Sequence, residues 1–253
     1  MATHTTDDST RRSTVQAVDR AMMLLQALQG HRGTRTVLDL SEQTGIDRTV
    51  AHRLLKTLSR SAMVVEESGA YGLGPEAVLL ANSYVDSMRV RRIALPYMLE
   101  MQSHDIAGSP WTVSLSIPVG AVSAVIERIW TPTTPLDIVL SSGDSFPLAA
   151  TATGRSILAH YSDQKVVETV GPDAVDELRP ILDEVRRSGG VGISHGEAIV
   201  GVDGIAAAIQ SADGTPVASL GVSGVDLGDQ LTPDSRLAHK LRRNALAIGR
   251  MLR

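Results

Sequence analysis

The stretch DRTVAHRLLKTLSR, residues 47–60, constrains the fold more tightly than any other part of the chain. At about 100° per residue, Val50, Ala51, Leu54, Leu55 and Leu58 fall in one continuous arc. Arg48, Thr49, His52, Arg53, Lys56 and Arg60 fill the rest of the circle, and the two sets hardly mix. Such a segment is a helix with one packed face and one cationic, hydroxylic face. Asp47 is the expected N-cap, since its carboxylate can accept the first free backbone N–H groups, with Arg48 at the first helical position.

The flanking pattern says what the helix belongs to. VQAVDRAMMLLQALQG reads as an amphipathic helix with Val18, Met22, Leu25 and Leu28 inward, closed by Gly30. The basic turn HRGTRT follows, and then VLDLSEQTG as a short helix with Leu38, Leu40 and Val37 inward, ended by Gly45. MVVEESGAYGLG reads as a hairpin turning at Glu67, Ser68 and Gly69. Helix, helix, turn, helix and hairpin in this order spell a winged helix-turn-helix.

Charge supports the same reading. The whole chain carries a net charge of −4, yet residues 11–62 hold nine Lys or Arg against four Asp or Glu. An α-helix fits the major groove of duplex DNA, where outward side chains reach base edges and phosphates. Arg48 and Thr49 would lie deepest, His52 and Arg53 one turn later, and Lys56 where phosphate contact is expected. Arg35 and Thr36, from the basic turn, complete the candidate DNA-binding set. A solvated helix face is the competing reading of the helix alone, and the hairpin behind it shifts the balance toward DNA. Glu66 and Glu67 at the wing argue against strong wing–phosphate attraction. Arg11 and Arg12 read as a solvated tail, with a minor-groove arm as the alternative.

Beyond Pro75 a helical run, PEAVLLANSYVDSMRVRRIALPYMLEMQS, is expected to break at Pro96. WTVSLSIP and AVSAVIERIW alternate as strands of a hairpin turning at Val119 and Gly120, and LDIVL reads as a third strand. ATGRSILAHY and DAVDELRPILDEVRRSGG are helical, the second with Pro180 inside. GIAAAIQ and PVASLGVSG are strands joined by SADGT, and a helix from Pro233 to Arg253 closes the chain. The expected fold class is therefore α+β, with helices on an antiparallel sheet. The domain reading is a disordered arm at 1–13, the winged helix-turn-helix at 14–74, a helix at 75–92 and an α+β domain at 93–253, the last two being a linker helix and an effector-binding domain by the family resemblance given below. With 43% hydrophobic residues but one Phe, two Trp and four Tyr, the cores must be aliphatic.

Several functions are excluded at this level. The absence of cysteine removes disulfides, thiolate metal sites and cysteine nucleophiles. The seven histidines show no i+3 or i+4 pairing, so no metal site is expected. Ser162–Lys165 matches Ser-x-x-Lys spacing, but neither companion motif is present, and there is no G-x-S-x-G, Walker loop or complete G-x-G-x-x-G. No catalytic residue and no cofactor are expected. The polar N-terminus is no secretory signal and no run approaches 18 apolar residues, so a soluble cytoplasmic protein without membrane contact is the expectation.

SEQTGIDRTVAHRLLKTL resembles the helix-turn-helix of the IclR family of bacterial transcriptional regulators, and YGLGPEAVLLA resembles its wing end and linker helix. The likeness continues through FPLAATATGRSILAHYS, RSGGVGISHGEAIVGVDGIAAAI and ADGTPVASLGVSG, and covers roughly residues 15–252. The resemblance implies a C-terminal effector domain related to GAF/PAS folds and assembly into homodimers or homotetramers. It also implies double-stranded operator DNA and a small organic acid, often an intermediate of aromatic or other carbon-source catabolism, as partners. It places the effector among Leu136, Ile138, Ala152, Thr153, Ser194, Gly204, Gly221 and Ser223. The loop Thr151–Gly154 opens a helix whose N–H groups suit a carboxylate, and Thr151, Thr153 and Ser223 add hydroxyls. For small residues such as these, tight packing is the alternative role.

This chain departs from the family in having Ala150 and Gly204 where many relatives carry Cys, and Ser194, followed by His195, where many carry an acid. The pocket is expected to be less acidic, free of thiols and roomy enough for a bulkier ligand. Trp111 and Trp130 flank the first hairpin, either as core and interface residues or as a platform for an aromatic ligand. One rival reading is an effector-sensing or dimerisation module without DNA binding, which predicts a degraded reading face. Here Arg48, His52, Arg53 and Lys56 are all present. An enzyme is the other rival.

Overall fold

The computed structural model describes residues 15–29, 33–135 and 144–252. The chain divides between Tyr84 and Val85 into two compact units. The N-terminal unit contains α1 (Gln16–Ala27), β1 (Arg35–Thr36), α2 (Val37–Thr44), α3 (Arg48–Arg60), β2 (Val64–Glu67) and β3 (Ala70–Leu73). It also holds most of α4 (Pro75–Ser87). Its core joins Leu24, Ala27 and Leu28 of α1 to Leu40, Ile46, Ala51, Leu55, Val64 and Tyr71.

Local chemistry sets these boundaries. Thr36 caps α2 in a reciprocal box, accepting from the Asp39 N–H while its own N–H is taken by the Asp39 carboxylate. Gly45, at φ 69°, ends α2 in the left-handed conformation. Two residues later Asp47 Oδ1 accepts from Thr49 N at 2.9 Å and Val50 N at 3.2 Å and starts α3, as expected. Ser68 and Gly69, both at positive φ, close the β2–β3 hairpin. The two-residue β1 pairs with β3, so the wing sheet has order β1-β3-β2. Three apolar positions expected inward, Val18, Met22 and Leu38, are exposed. The apolar stripe of α1 is wider than the surface its own core covers.

In the C-terminal unit, α5 (Arg89–Glu100) follows α4 after Met88 and continues as a π-turn at Met101–Asp105. The helical break falls at Met88 and not at Pro96, which lies inside α5. A proline costs its helix one N–H bond, and here the buried flanks Ala94 and Met98 hold the segment in place. The sheet comprises β4 (Thr112–Val119), β5 (Val122–Trp130), β6 (Ser145–Pro147), β7 (Val191–His195), β8 (Asp203–Gln210) and β9 (Pro216–Gly224). It is antiparallel with order β6-β5-β4-β9-β8-β7. Strands β6 and β7 were not foreseen, and the expected strand LDIVL lies outside the described residues, as do Gly30 and the N-terminal arm.

The two faces of the sheet are covered differently. On one face α5 and α9 (Arg236–Met251) pack an aliphatic core including Met98, Leu115, Ile205, Leu220, Leu241 and Ile248. On the other face α6 (Ala152–Leu158) lies over β7, β8 and β9. Behind it α7 (Asp163–Val170), which was not foreseen, and α8 (Pro172–Arg187) share a second core with Leu148, Ile157 and Leu158. Close approach of α6 to the sheet requires glycine. A Cβ on Gly192 would stand 2.2 Å from Ala152 O, and one on Gly154 would stand 2.1 Å from Leu148 O in the 3-10 turn that precedes α6. Among the described residues no helix is long and apolar enough to cross a membrane.

Candidate nucleic-acid interface and effector cavity

The helix α3 separates its faces as its periodicity demands. Ala51 and Leu55 are buried, and Val50, Leu54 and Leu58 pack against the same core. Arg48, Thr49, His52, Arg53 and Lys56 are all exposed on the outer side. Lys56 is not a free cation, because its Nζ lies 2.5 Å from Glu66 Oε2 on the wing. That hydrogen bond holds the Glu66 carboxyl below its ordinary pKa and raises that of Lys56. Thr36 and Arg35, in β1, are employed locally. The Thr36 hydroxyl serves the α2 cap, and the Arg35 guanidinium donates to Gln43.

The second site is a small cavity of about 60 Å³ between α6 and the sheet. All six described positions expected around an effector line it: Ala152, Thr153, Ser194, Gly204, Gly221 and Ser223. Leu136 and Ile138 lie outside the described residues. The strand register explains the grouping, because residues directly opposite one another in a ladder project to the same face. One row runs Ser194, Gly204, Ser223, Thr112, Trp130, and the next runs Gly192, Ala206, Gly221, Ser114, Arg128. A third brings Ser219 and Ser116 together with Val125.

Sequence reasoning missed Ser114 and Ser116, which belong to the cavity wall. With Ser194 they are 2–7% exposed, and their hydroxyls make no side-chain hydrogen bond among the described residues. The hydroxyls expected to meet a ligand are otherwise engaged. Thr151 caps α6 by accepting from Gly154 N at 2.9 Å, which removes one N–H assigned above to a carboxylate. Thr153 shares a 2.9 Å hydrogen bond with Ser123, and Ser223 a 3.0 Å one with Thr112.

Gly204 does not enlarge the cavity, because neighbours already occupy the space its side chain would fill. A Cβ there would lie 2.8 Å from Ser194 Oγ and 3.3 Å from Ala152 Cβ. The expected room for a bulky ligand is thus absent. Asp203, at the start of β8, is among the lining residues, so the cavity wall carries one acid beside its hydroxyls.

One side of the cavity is closed by the segment after β7, through Ala198, Ile199 and Val202. Arg155 of α6 holds it. This buried guanidinium donates to Ala149 O at 2.9 Å, Ile193 O at 2.6 Å and Glu197 Oε1 at 2.7 Å. Burial pushes the Glu197 carboxyl up, but hydrogen bonds from Arg155 and from backbone N–H groups outweigh it, and the pKa is lowered. No group of three or more His, Asp or Glu able to hold a metal occurs among the described residues.

Comparison with known proteins agrees with both halves. The family model for the bacterial transcriptional regulator IclR C-terminal domain matches residues 82–250, and that for the IclR helix-turn-helix domain matches residues 17–68. An HTH-type transcriptional regulator of Mycobacterium tuberculosis is 31% identical over 155 residues, covering 60% of this chain but only 57% of its own length. The Pca regulon regulatory protein of Pseudomonas putida is 27% identical over 217 residues, 81% of this chain and 72% of its own. A crystal structure of an IclR homolog complexed with 4-hydroxybenzoate, from Microbacterium hydrocarbonoxydans, shares the fold. Its TM-score is 0.71 at 21% identity, covering 94% of this chain and 99% of that one.

Proposed function

The chain belongs to the IclR family of bacterial transcriptional regulators, and from that premise we propose that a small organic acid in the α6–sheet cavity controls its grip on operator DNA. The observation that carries this reading is the separation of two unlike surfaces. One is the exposed, cationic outer side of α3, and the other is a hydroxyl-lined cavity in the other unit. Arg48, Thr49, His52 and Arg53 read base edges and phosphates in the major groove, with Lys56, Arg35 and Thr36 at its margin. The protein works in the cytoplasm as a homodimer or homotetramer, and has no catalytic step. The 4-hydroxybenzoate bound by the Microbacterium hydrocarbonoxydans protein supports a single-ring acid as one effector class. Occupancy of the cavity biases α4, and a coupling of about 1–3 kcal/mol is enough for a useful response.

Fluorescence anisotropy with the DNA upstream of the protein's own gene tests the reading. Affinity is expected to fall steeply as salt rises, since each neutralised phosphate releases counterions. Arg53→Ala is expected to lower specific affinity about tenfold or more and to leave ligand-induced thermal stabilisation intact. Thr153→Val and Ser223→Ala are expected to do the reverse. DNA affinity that survives Arg53→Ala unchanged overturns the assignment of the reading face.

A further inference from the structure

The row that crosses the sheet through Gly221 and Ser114 ends on β5 at Arg128. Ser114 lines the cavity, so the two side chains leave the sheet on the same face, their Cβ atoms about 5 Å apart. Among the described strands of this sheet, Arg128 is the only arginine or lysine. Glu127 projects to the opposite face, where it meets Arg91 at 2.8 Å. The one other guanidinium nearby, Arg155, is consumed by its three acceptors.

Arg128 has no such employment. Its Nε and Nη1 are buried and have no hydrogen-bond partner. Its guanidinium carbon lies 4.7 Å from the centroid of the Trp130 ring, an aromatic contact that supplies no hydrogen-bond acceptor for the fork. Buried guanidinium nitrogens without acceptors are costly. A cation kept in that state is poised for an anion that arrives from outside, and a planar fork suits a carboxylate in particular.

We infer that Arg128 is the residue that recognises the effector's carboxylate. Resting on the proposed function, this narrows the ligand to a small monocarboxylate. The acid group lies against Arg128 and Ser114, and the remainder lies among the unpartnered hydroxyls of Ser116 and Ser194. The cavity volume of about 60 Å³ sets the size limit.

The test uses the full-length protein and a panel of short-chain and single-ring monocarboxylates, with acetate, benzoate and 4-hydroxybenzoate among them, each paired with its primary amide. Calorimetry and thermal shift are expected to find binding by at least one acid and none by its amide. Arg128→Gln is expected to weaken that acid tenfold to a hundredfold, the range of a charge-assisted contact, and Arg128→Lys to restore part of the loss. Arg128→Met should leave the unliganded melting temperature unchanged or raised, because it removes an unsatisfied buried charge.

A drop of several degrees in unliganded Arg128→Met marks the residue as structural and overturns the inference. So does binding by an amide as tight as its acid, or a panel with no acid that binds. Acid binding that survives Arg128→Gln but is lost in Thr153→Val overturns the role of Arg128 alone. Acid binding that survives both removes the cavity reading as well.

Discussion

At Lys56 a single ion pair ties one cation of the proposed DNA-reading face to the wing. Lys56 Nζ sits 2.5 Å from Glu66 on β2, so a cation on the proposed DNA face is already partly neutralised. The Glu66 pKa is lowered by this contact, so the pair is complete above the ordinary carboxylate value of 4.5 and is lost only as the pH falls through a lower one. At neutral pH the tie is therefore constant. Glu66→Gln is expected to free Lys56 for a phosphate, raise DNA affinity and steepen the salt dependence by about one unit in log–log slope. Anisotropy titrations at several salt concentrations check this, and an unchanged slope shows that Lys56 never reaches the backbone. Individual positions were legible in the sequence only where a pattern or a family likeness marked them, as with Arg53 or Thr153. Ser114 and Ser116 read as the ordinary polar face of an alternating strand. Arg128 is one arginine in IERIW until folding removes its acceptors.

The helix α6 shows how an element can be correctly placed by sequence and yet have its work misread. The ATGRSILAHY pattern gives its position, and the expected use was an N-terminus offering N–H groups. Its Thr151 cap and its buried Arg155 instead tie it to the sheet and to the segment that walls the cavity. Arg155→Met should cost about 2 kcal/mol, less than a fully buried pair because Glu197 is partly exposed. It should also abolish effector-induced stabilisation. The Glu197 pKa is lowered, so this contribution is fully present above pH 4.5 and drains away as the pH falls through the folded value. The melting difference between Arg155→Met and the parent should therefore be largest at neutral pH and shrink as the pH falls below the ordinary carboxylate value of 4.5. A difference that is the same at acid and at neutral pH removes Glu197 from the account. Long periodic elements such as α3 and α9 were legible because one amphipathic face dictates them. Two-residue β1 and three-residue β6 were not, since only pairing across the sheet makes them strands. Pro96 misled because packing at Ala94 and Met98 outweighs one lost hydrogen bond.

The molecule as a whole leaves apolar surface that neither unit's own core covers. No residue of α4 is buried, and Val78, Leu79 and Leu80 are 55–59% exposed. On α1, Val15, Val18 and Met22 follow one another at helical spacing and are likewise exposed. A chain this rich in unburied side chains on two helices gains from a second copy. Each Leu or Val fully buried between copies is worth about 1.5–3 kcal/mol before the costs of association. Two-fold assembly also sets two α3 helices at about 34–36 Å, one turn of duplex, which a single copy cannot do. The expected outcome is a dimer or tetramer by light scattering at micromolar concentration. Leu79→Glu combined with Leu80→Glu should give a monomer with unchanged helical content, because neither side chain supports the core of its own unit. The same double variant should lose most of its affinity for a two-half-site operator and keep the weak affinity of one half-site. Should it remain dimeric with parental DNA binding, α4 is not the element that pairs the copies, and the exposed stripe on α1 becomes the place to substitute next.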